Sequence, residues 1–133
     1  MKPDGAPGVR HWLDEQIAET LYLTSISLSE LLLGVELLPG GKRKLGLSTA
    51  LGELLSTLFG TRILPFDQQA ATMYASRVRN ARAAGRTISM ADGQIAAIAA
   101  VHGFTVATRD TAPFVAAGVL VVNPWEIRVH EAP

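Results

Sequence analysis

Four short runs rich in β-forming residues, separated by helical stretches, set the tightest limit on what this chain can become. They are residues 21–26 (Leu-Tyr-Leu-Thr-Ser-Ile), 62–66 (Arg-Ile-Leu-Pro-Phe), 104–108 (Phe-Thr-Val-Ala-Thr) and 119–122 (Val-Leu-Val-Val). Strands joined through helices pair in parallel, because the crossover has to pass over a face of the sheet. Their near-continuous apolar character predicts a sheet covered on both faces. The fold class expected is therefore α/β, with helices packed on a parallel sheet.

The helical stretches carry their own punctuation. Val9, Trp12, Leu13 and Ile17 recur at helical spacing after an irregular lead-in at residues 1–8. Ser27 is expected to open an apolar helix over 28–38, which Pro39-Gly40-Gly41 stops. A second leucine-rich helix is expected over 42–59, with Leu45, Leu51, Leu54, Leu55 and Leu58 on its apolar face and Gly60 behind it. Asp67 is a good N-cap for a helix over 68–84, closed by Gly85. Ser89 opens a small-residue helix over 90–101, able to pack closely on a sheet, and Gly103 closes it. Trp12 and Trp125 are expected as packing anchors near the two ends, with a tail at 126–133.

With 133 residues the chain suits a single domain with a real core. Twelve basic residues balance twelve acidic ones, so a generic polyanion binder is not expected, and nucleic acid would need a local patch. There is no cysteine, which excludes disulfides, thiolate nucleophiles and cysteine-ligated zinc and suits a reducing cytoplasm. The first twelve residues lack the apolar core of a signal peptide, and the apolar stretches 95–101 and 112–122 are too short to cross a bilayer. A cytoplasmic protein without a membrane partner is expected.

Three carboxylates fall near expected strand ends. Glu30 follows the run 21–26, Asp110 follows the run ending near Thr108, and Asp92 sits in the first turn of the helix after Ser89. Functional groups of open parallel sheets collect outside the carboxyl ends of the strands. Carboxylates grouped there repel one another, and a hard divalent ion, Mg²⁺ or Mn²⁺, resolves that conflict with oxygen ligands. Such an ion orients a phosphodiester and activates water. Capping explains the same residues equally well: Ser27-x-x-Glu30 matches a capping box, Ser89-x-x-Asp92 is a looser relative, and Asp110 precedes a short helix over 111–116. Composition and spacing leave the two explanations open.

The ordered set of segments goes further. Residues 25–34 (S-I-S-L-S-E-L-L-L-G) resemble the S-x-x-x-x-E-L-x-x-G segment of PIN-domain ribonuclease toxins of the VapC/FitB type. Residues 88–97 (I-S-M-A-D-G-Q-I-A-A) are similar to that family's I-x-x-x-D-x-x-I-A-A helix start, and 106–114 (V-A-T-R-D-T-A-P-F) to its V-A-T-R-D-T-x-x-F segment. Residues 62–67 fit as well, and Asn123-Pro124-Trp125 resembles the closing N-P-W. The resemblance runs from Trp12 to Trp125. It implies one PIN domain, a three-layer α/β/α sandwich, and a toxin of a type II toxin–antitoxin pair that hydrolyses RNA phosphodiester bonds with Mg²⁺ or Mn²⁺. It also implies that Glu30, Asp92 and Asp110 are catalytic and metal-binding acids and that the Thr108 hydroxyl supports them. The implied partners are a cognate antitoxin, an RNA substrate and a second copy of the chain.

One departure stands out. The family's sheet is centred on an N-terminal apolar strand that ends in the first acid, and residues 1–7 (M-K-P-D-G-A-P) do not match it. Asp4 follows no strand and takes no role from the resemblance. The resemblance therefore implies an N-terminally truncated domain whose central first strand is missing from this chain, either because Met1 is an internal methionine taken as the start or because the gene is truncated; a catalytically inactive module that only binds an antitoxin or a sister toxin is the expectation to set beside the nuclease. An α/β phosphatase or receiver-like domain is a weaker third.

Other features are secondary. Arg79, Arg82 and Arg86 share one helical side, with Arg77 nearby, and Lys42-Arg43-Lys44 forms a basic run; either could hold RNA phosphates or be a solvated face. His11, His102 and His130 lie far from the acids in sequence. Gly46-Leu47-Ser48-Thr49-Ala50 misses a nucleophile elbow, and Gly40-Gly41-Lys42 misses a phosphate-binding loop. The leucines of 28–38 and 42–59 exceed what one sheet face needs, which suits a partner surface.

Overall fold

The computed structural model describes residues 7–16 and 18–126; the lead-in at 1–6, with Asp4, and the tail at 127–133, with His130, lie outside them. Four parallel strand segments alternate with helices, as the pattern of β-runs requires. The order is α1 (Pro7–Glu15), β1 (Leu23–Thr24), α2 (Ser25–Glu36), α3 (Lys42–Leu58), β2 (Ile63–Leu64), α4 (Gln68–Ala83), α5 (Met90–His102), β3 (Val106–Ala107), α6 (Ala112–Ala116) and β4 (Val121–Val122). Short 3₁₀ turns at Ala18–Thr20 and Pro124–Glu126 complete it.

The strands form two separate parallel pairs. β1 pairs with β2 through Leu23–Ile63 and Thr24–Leu64, and β3 pairs with β4 through Val106–Val121 and Ala107–Val122. Among the described residues no strand links the pairs. Each ladder is two residues long, so the first three expected runs are trimmed at both ends and the fourth, 119–122, at its amino end. The reason is physical: without a strand between them, β1 and β3 have one neighbour each, and ladder hydrogen bonds define strand length.

α5 holds the two pairs together. Its small residues bury almost completely, with Ala96 and Ala97 at 0% exposure and Ile98 at 1%. Ala96 and Ile95 pack in a cluster with Val106 and Val121, whereas Ala97, Ile98 and Val101 pack with Ile26, Leu64 and Phe66. One helix thus lies under both ladders. α4 packs along α5 so closely that a Cβ on Gly93 would sit 2.8 Å from the Tyr74 ring and 3.1 Å from Val78. Only glycine permits that approach.

The caps follow the sequence in part. Asp67 accepts from the Ala70 amide at 2.9 Å, Ser89 accepts from the Asp92 amide at 3.2 Å, and Gly103 ends α5 in the left-handed region at φ 68°. The second helix departs from expectation. It starts at Ser25, and Thr24, not Ser27, is its cap, accepting from the Ser27 amide at 3.0 Å. The Thr24 hydroxyl also donates to Ser27 Oγ at 3.1 Å, so the serine expected to cap supports the threonine that does. Trp125, expected as an anchor, is 43% exposed.

Candidate active site

Strand direction places the acids. Helices that follow strands begin at the strands' carboxyl ends, and a helix that feeds the next parallel strand returns from that same end. Asp92, in the first turn of α5, and Asp110, three residues beyond β3, therefore belong to one rim of the sheet. Glu30 is the sixth residue of α2, about 7.5 Å along the helix axis from its start, and it is exposed. Asp92 is half-buried and Asp110 is exposed.

The capping explanation for these acids fails in each case. Thr24 caps α2, so Ser27 and Glu30 form no capping box. Ser89 caps α5 through its own hydroxyl, which accepts the Asp92 amide and leaves the Asp92 carboxylate uncommitted. The N-cap position of α6 belongs to Thr111, without a side-chain bond, and not to Asp110. Among the described residues none of the three carboxylates takes a hydrogen bond or an ion pair.

A neighbouring strap holds the Asp110 loop. Asn123 donates from Nδ2 to the Arg109 carbonyl at 3.3 Å and accepts the Trp125 amide on Oδ1 at 2.9 Å. It thus ties the end of β4 to the residue before Asp110. Sequence reading met Asn123 only as part of a closing motif; the signal for its role is an asparagine followed by proline at a strand end, a turn-forming pattern. Thr108 donates its amide to Val122 O at 3.0 Å, which keeps it on the ladder beside that loop.

Whether this set holds a cation can be tested on the geometry. Among the described residues no three His, Asp or Glu side chains come together as a metal site. Asp92 opens α5, Asp110 follows β3 and Glu30 lies in the second turn of α2; among the described residues these acids do not gather into a metal cluster.

The basic groups divide into two kinds. Arg77 is a structural residue: its Nη1 donates to the Ala117 and Gly118 carbonyls, each at 2.9 Å, tying α4 to the end of α6. Arg79 and Arg82 are exposed and line an open hollow on α4 with Tyr74, Ala75, Val78 and Ala83; Arg86 lies beyond α4 and does not line it. In the basic run, Lys44 donates to the Glu36 carbonyl at 2.9 Å and closes the end of α2. His11 faces Glu15 at 3.1 Å, and His102 stacks on Phe104 at 5.3 Å between ring centres, so neither joins the acids.

Two parallel strand pairs with helices between them define an α/β protein of the doubly wound kind. The chain belongs to the PIN-domain family, whose model matches residues 4–119. It is 49% identical over 126 residues to the VapC ribonuclease Y4jK of Sinorhizobium fredii, covering 94% of this chain and 88% of that protein. It is 47% identical over 125 residues to the toxin FitB of Neisseria gonorrhoeae, covering 94% and 90%. The crystal structure of FitAcB from Neisseria gonorrhoeae superposes with a TM-score of 0.89 at 47% identity, over 95% of this chain and 91% of that one. No described helix is long and apolar enough to cross a membrane.

Proposed function

We propose that this chain is the toxin of a type II toxin–antitoxin pair and an endoribonuclease that hydrolyses RNA phosphodiester bonds. The carrying observation is that Glu30, Asp92 and Asp110 are released from every capping duty that could explain them, with Asp92 and Asp110 on one rim. Similarity at 47–49% to proteins named as a VapC ribonuclease and as a toxin supports the same reading. On this reading Asp92 and Asp110 face the phosphodiester, Thr108 and Asn123 steady the Asp110 loop, and we assign Arg79 and Arg82, which line an open hollow on α4, to the phosphate backbone of the RNA. Arg86 contributes at most general attraction. A divalent cation, Mg²⁺ or Mn²⁺, belongs to the proposal through the family; the described acids do not complete its ligand set, so no step is assigned to it.

An exposed leucine-rich face supports the partner part of this reading. α2 and α3 contain no buried residue; Leu31, Leu32, Leu33, Leu45, Leu47 and Leu54 are exposed on them, and so is Leu37 at the end of α2. Apolar area on that scale marks an interface. We assign it to the cognate antitoxin and to a second copy of the chain.

The second reading is a catalytically inactive module that binds an antitoxin or a sister toxin. The incomplete ligand set favours it. One experiment separates the two: RNA cleavage by the purified chain with Mn²⁺, beside an Asp92→Asn variant, with Mn²⁺ binding followed by calorimetry. Cleavage that Asp92→Asn abolishes without changing the melt supports the nuclease. Antitoxin binding with neither cleavage nor Mn²⁺ binding supports the module. Cleavage that survives Asp92→Asn removes Asp92 from the site.

A further inference from the structure

β3 and β4 run parallel, so the residues that follow each of them emerge at the same end of the ladder: Arg109 and Asp110 beyond β3, Asn123 to Trp125 beyond β4. One carboxamide joins the two exits, because Asn123 donates to the Arg109 carbonyl at 3.3 Å and accepts the Trp125 amide at 2.9 Å. The backbones of Arg109 and Trp125 are therefore neighbours, and Asp110 is next in the chain. Pro124 is buried and α1 packs on the turn Pro124–Glu126, which fixes the backbone that carries Trp125. The indole itself stays 43% exposed, and Arg109 and Asp110 are exposed as well. Tyr22 and Trp125 are the two exposed large aromatic side chains among the described residues. Tyr22 meets the Phe104 ring at 4.6 Å, whereas no described ring meets Trp125. Among the described residues no hydrogen bond or ion pair engages the Trp125 indole or the Arg109 guanidinium. A single exposed aromatic is ordinary. Here a free indole and a free guanidinium are held by the same strap that steadies a candidate catalytic acid.

We propose that Trp125 and Arg109 form a nucleobase platform beside Asp110: an unpaired base of the RNA stacks on the Trp125 indole, and Arg109 holds the adjoining phosphate. The proposal rests on the ribonuclease reading of that site and adds two residues to it. The chemistry fits a nucleotide on both counts. An indole is a flat apolar surface that any base can cover, and a guanidinium presents paired donors to a phosphate. A purely apolar partner would use Trp125 and leave Arg109 unpaired. Arg109 and Asp110 are consecutive, so the phosphate held by one and the phosphodiester met by the other belong to neighbouring groups of one strand. A base inside a duplex has both faces covered by its neighbours, so the platform selects unpaired nucleotides. Stacking also supplies affinity that a chain with twelve basic and twelve acidic residues does not draw from bulk charge.

The probe is a single-stranded RNA hexamer of uridines with a central 2-aminopurine, bound to the full chain in EDTA, where a metal-dependent nuclease does not cut. Stacking on the indole is expected to quench the 2-aminopurine fluorescence, and anisotropy gives Kd. Trp125→Leu keeps apolar bulk without a ring plane and is expected to weaken binding about tenfold and abolish the quench, while Trp125→Phe stays within about threefold of the parent. Arg109→Gln is expected to lower the slope of log K against log salt by about 0.7, and Trp125→Leu to leave that slope unchanged. All three variants are expected to melt within about 2 °C of the parent, since the side chains they alter are exposed. No binding of the hexamer by the parent, or unchanged Kd and quench in Trp125→Leu, overturns the platform. An equal loss in Trp125→Phe marks a packing role and overturns it too. Weaker self-association in sedimentation with RNA binding intact assigns Trp125 to a second copy and overturns it. Trp125-dependent binding by a chain that does not cut RNA with Mn²⁺ removes the ribonuclease reading and leaves the platform; cleavage with unchanged binding in Trp125→Leu does the reverse.

Discussion

The α4–α5 pair and the α2–α3 hairpin are made of helices of similar length and opposite character. α4 and α5 contain most of the buried residues, among them Ala70, Val78, Ala81, Ala96, Ala97 and Ile98, with Gly93 at the closest approach. α2 and α3 are richer in leucine and bury none of it fully; Leu37 is 74% exposed and Leu45 69%. Hydrophobicity alone therefore does not mark the core of this protein. Small residues with matched surfaces make the interior, because close packing multiplies weak dispersion contacts, while large side chains without a partner remain in solvent.

Four measurements sharpen or break that contrast. Ile98→Ala is expected to cost about 2–5 kcal/mol, since it opens a cavity in a site with no exposed wall. A shift in urea midpoint worth under 1 kcal/mol would show that α5 is not the centre of the fold. Gly93→Ala is expected to cost about 1–3 kcal/mol through collision with Tyr74, read by the same titration. Ser89→Ala is expected to cost about 1 kcal/mol by removing the α5 cap, with Ser89→Asp recovering most of it. Leu37→Lys with Leu45→Lys is expected to change stability by no more than about 0.5 kcal/mol. That pair should instead weaken antitoxin binding or self-association at least tenfold in sedimentation; a large loss of stability there would move the hairpin into the core.

Local chemistry made much of the fold legible. Asp67 and Ser89 announced helix starts because each hydroxyl or carboxylate reaches an amide three residues on, an interaction contained within one turn. Gly85 and Gly103 announced helix ends because left-handed backbone favours glycine. The start of α2 was not legible. Thr24 and Ser27 are both competent caps three residues apart, and the ladder with β2 ends β1 at Thr24 and makes it the cap. The acids were legible as candidates, and their freedom from capping was not, since that depends on which of two neighbours takes the cap.

The parallel α/β class, the helix order and the residues available to a site can all be read along the chain, because period, punctuation and residue type act over a few positions. Contacts in three dimensions were needed to show that the strands fall into two pairs, that α5 packs on both, and that leucines of α2 and α3 face solvent. Each of those depends on contacts between segments far apart along the chain, and burial is a property of the neighbours a residue finds, not of the residue itself.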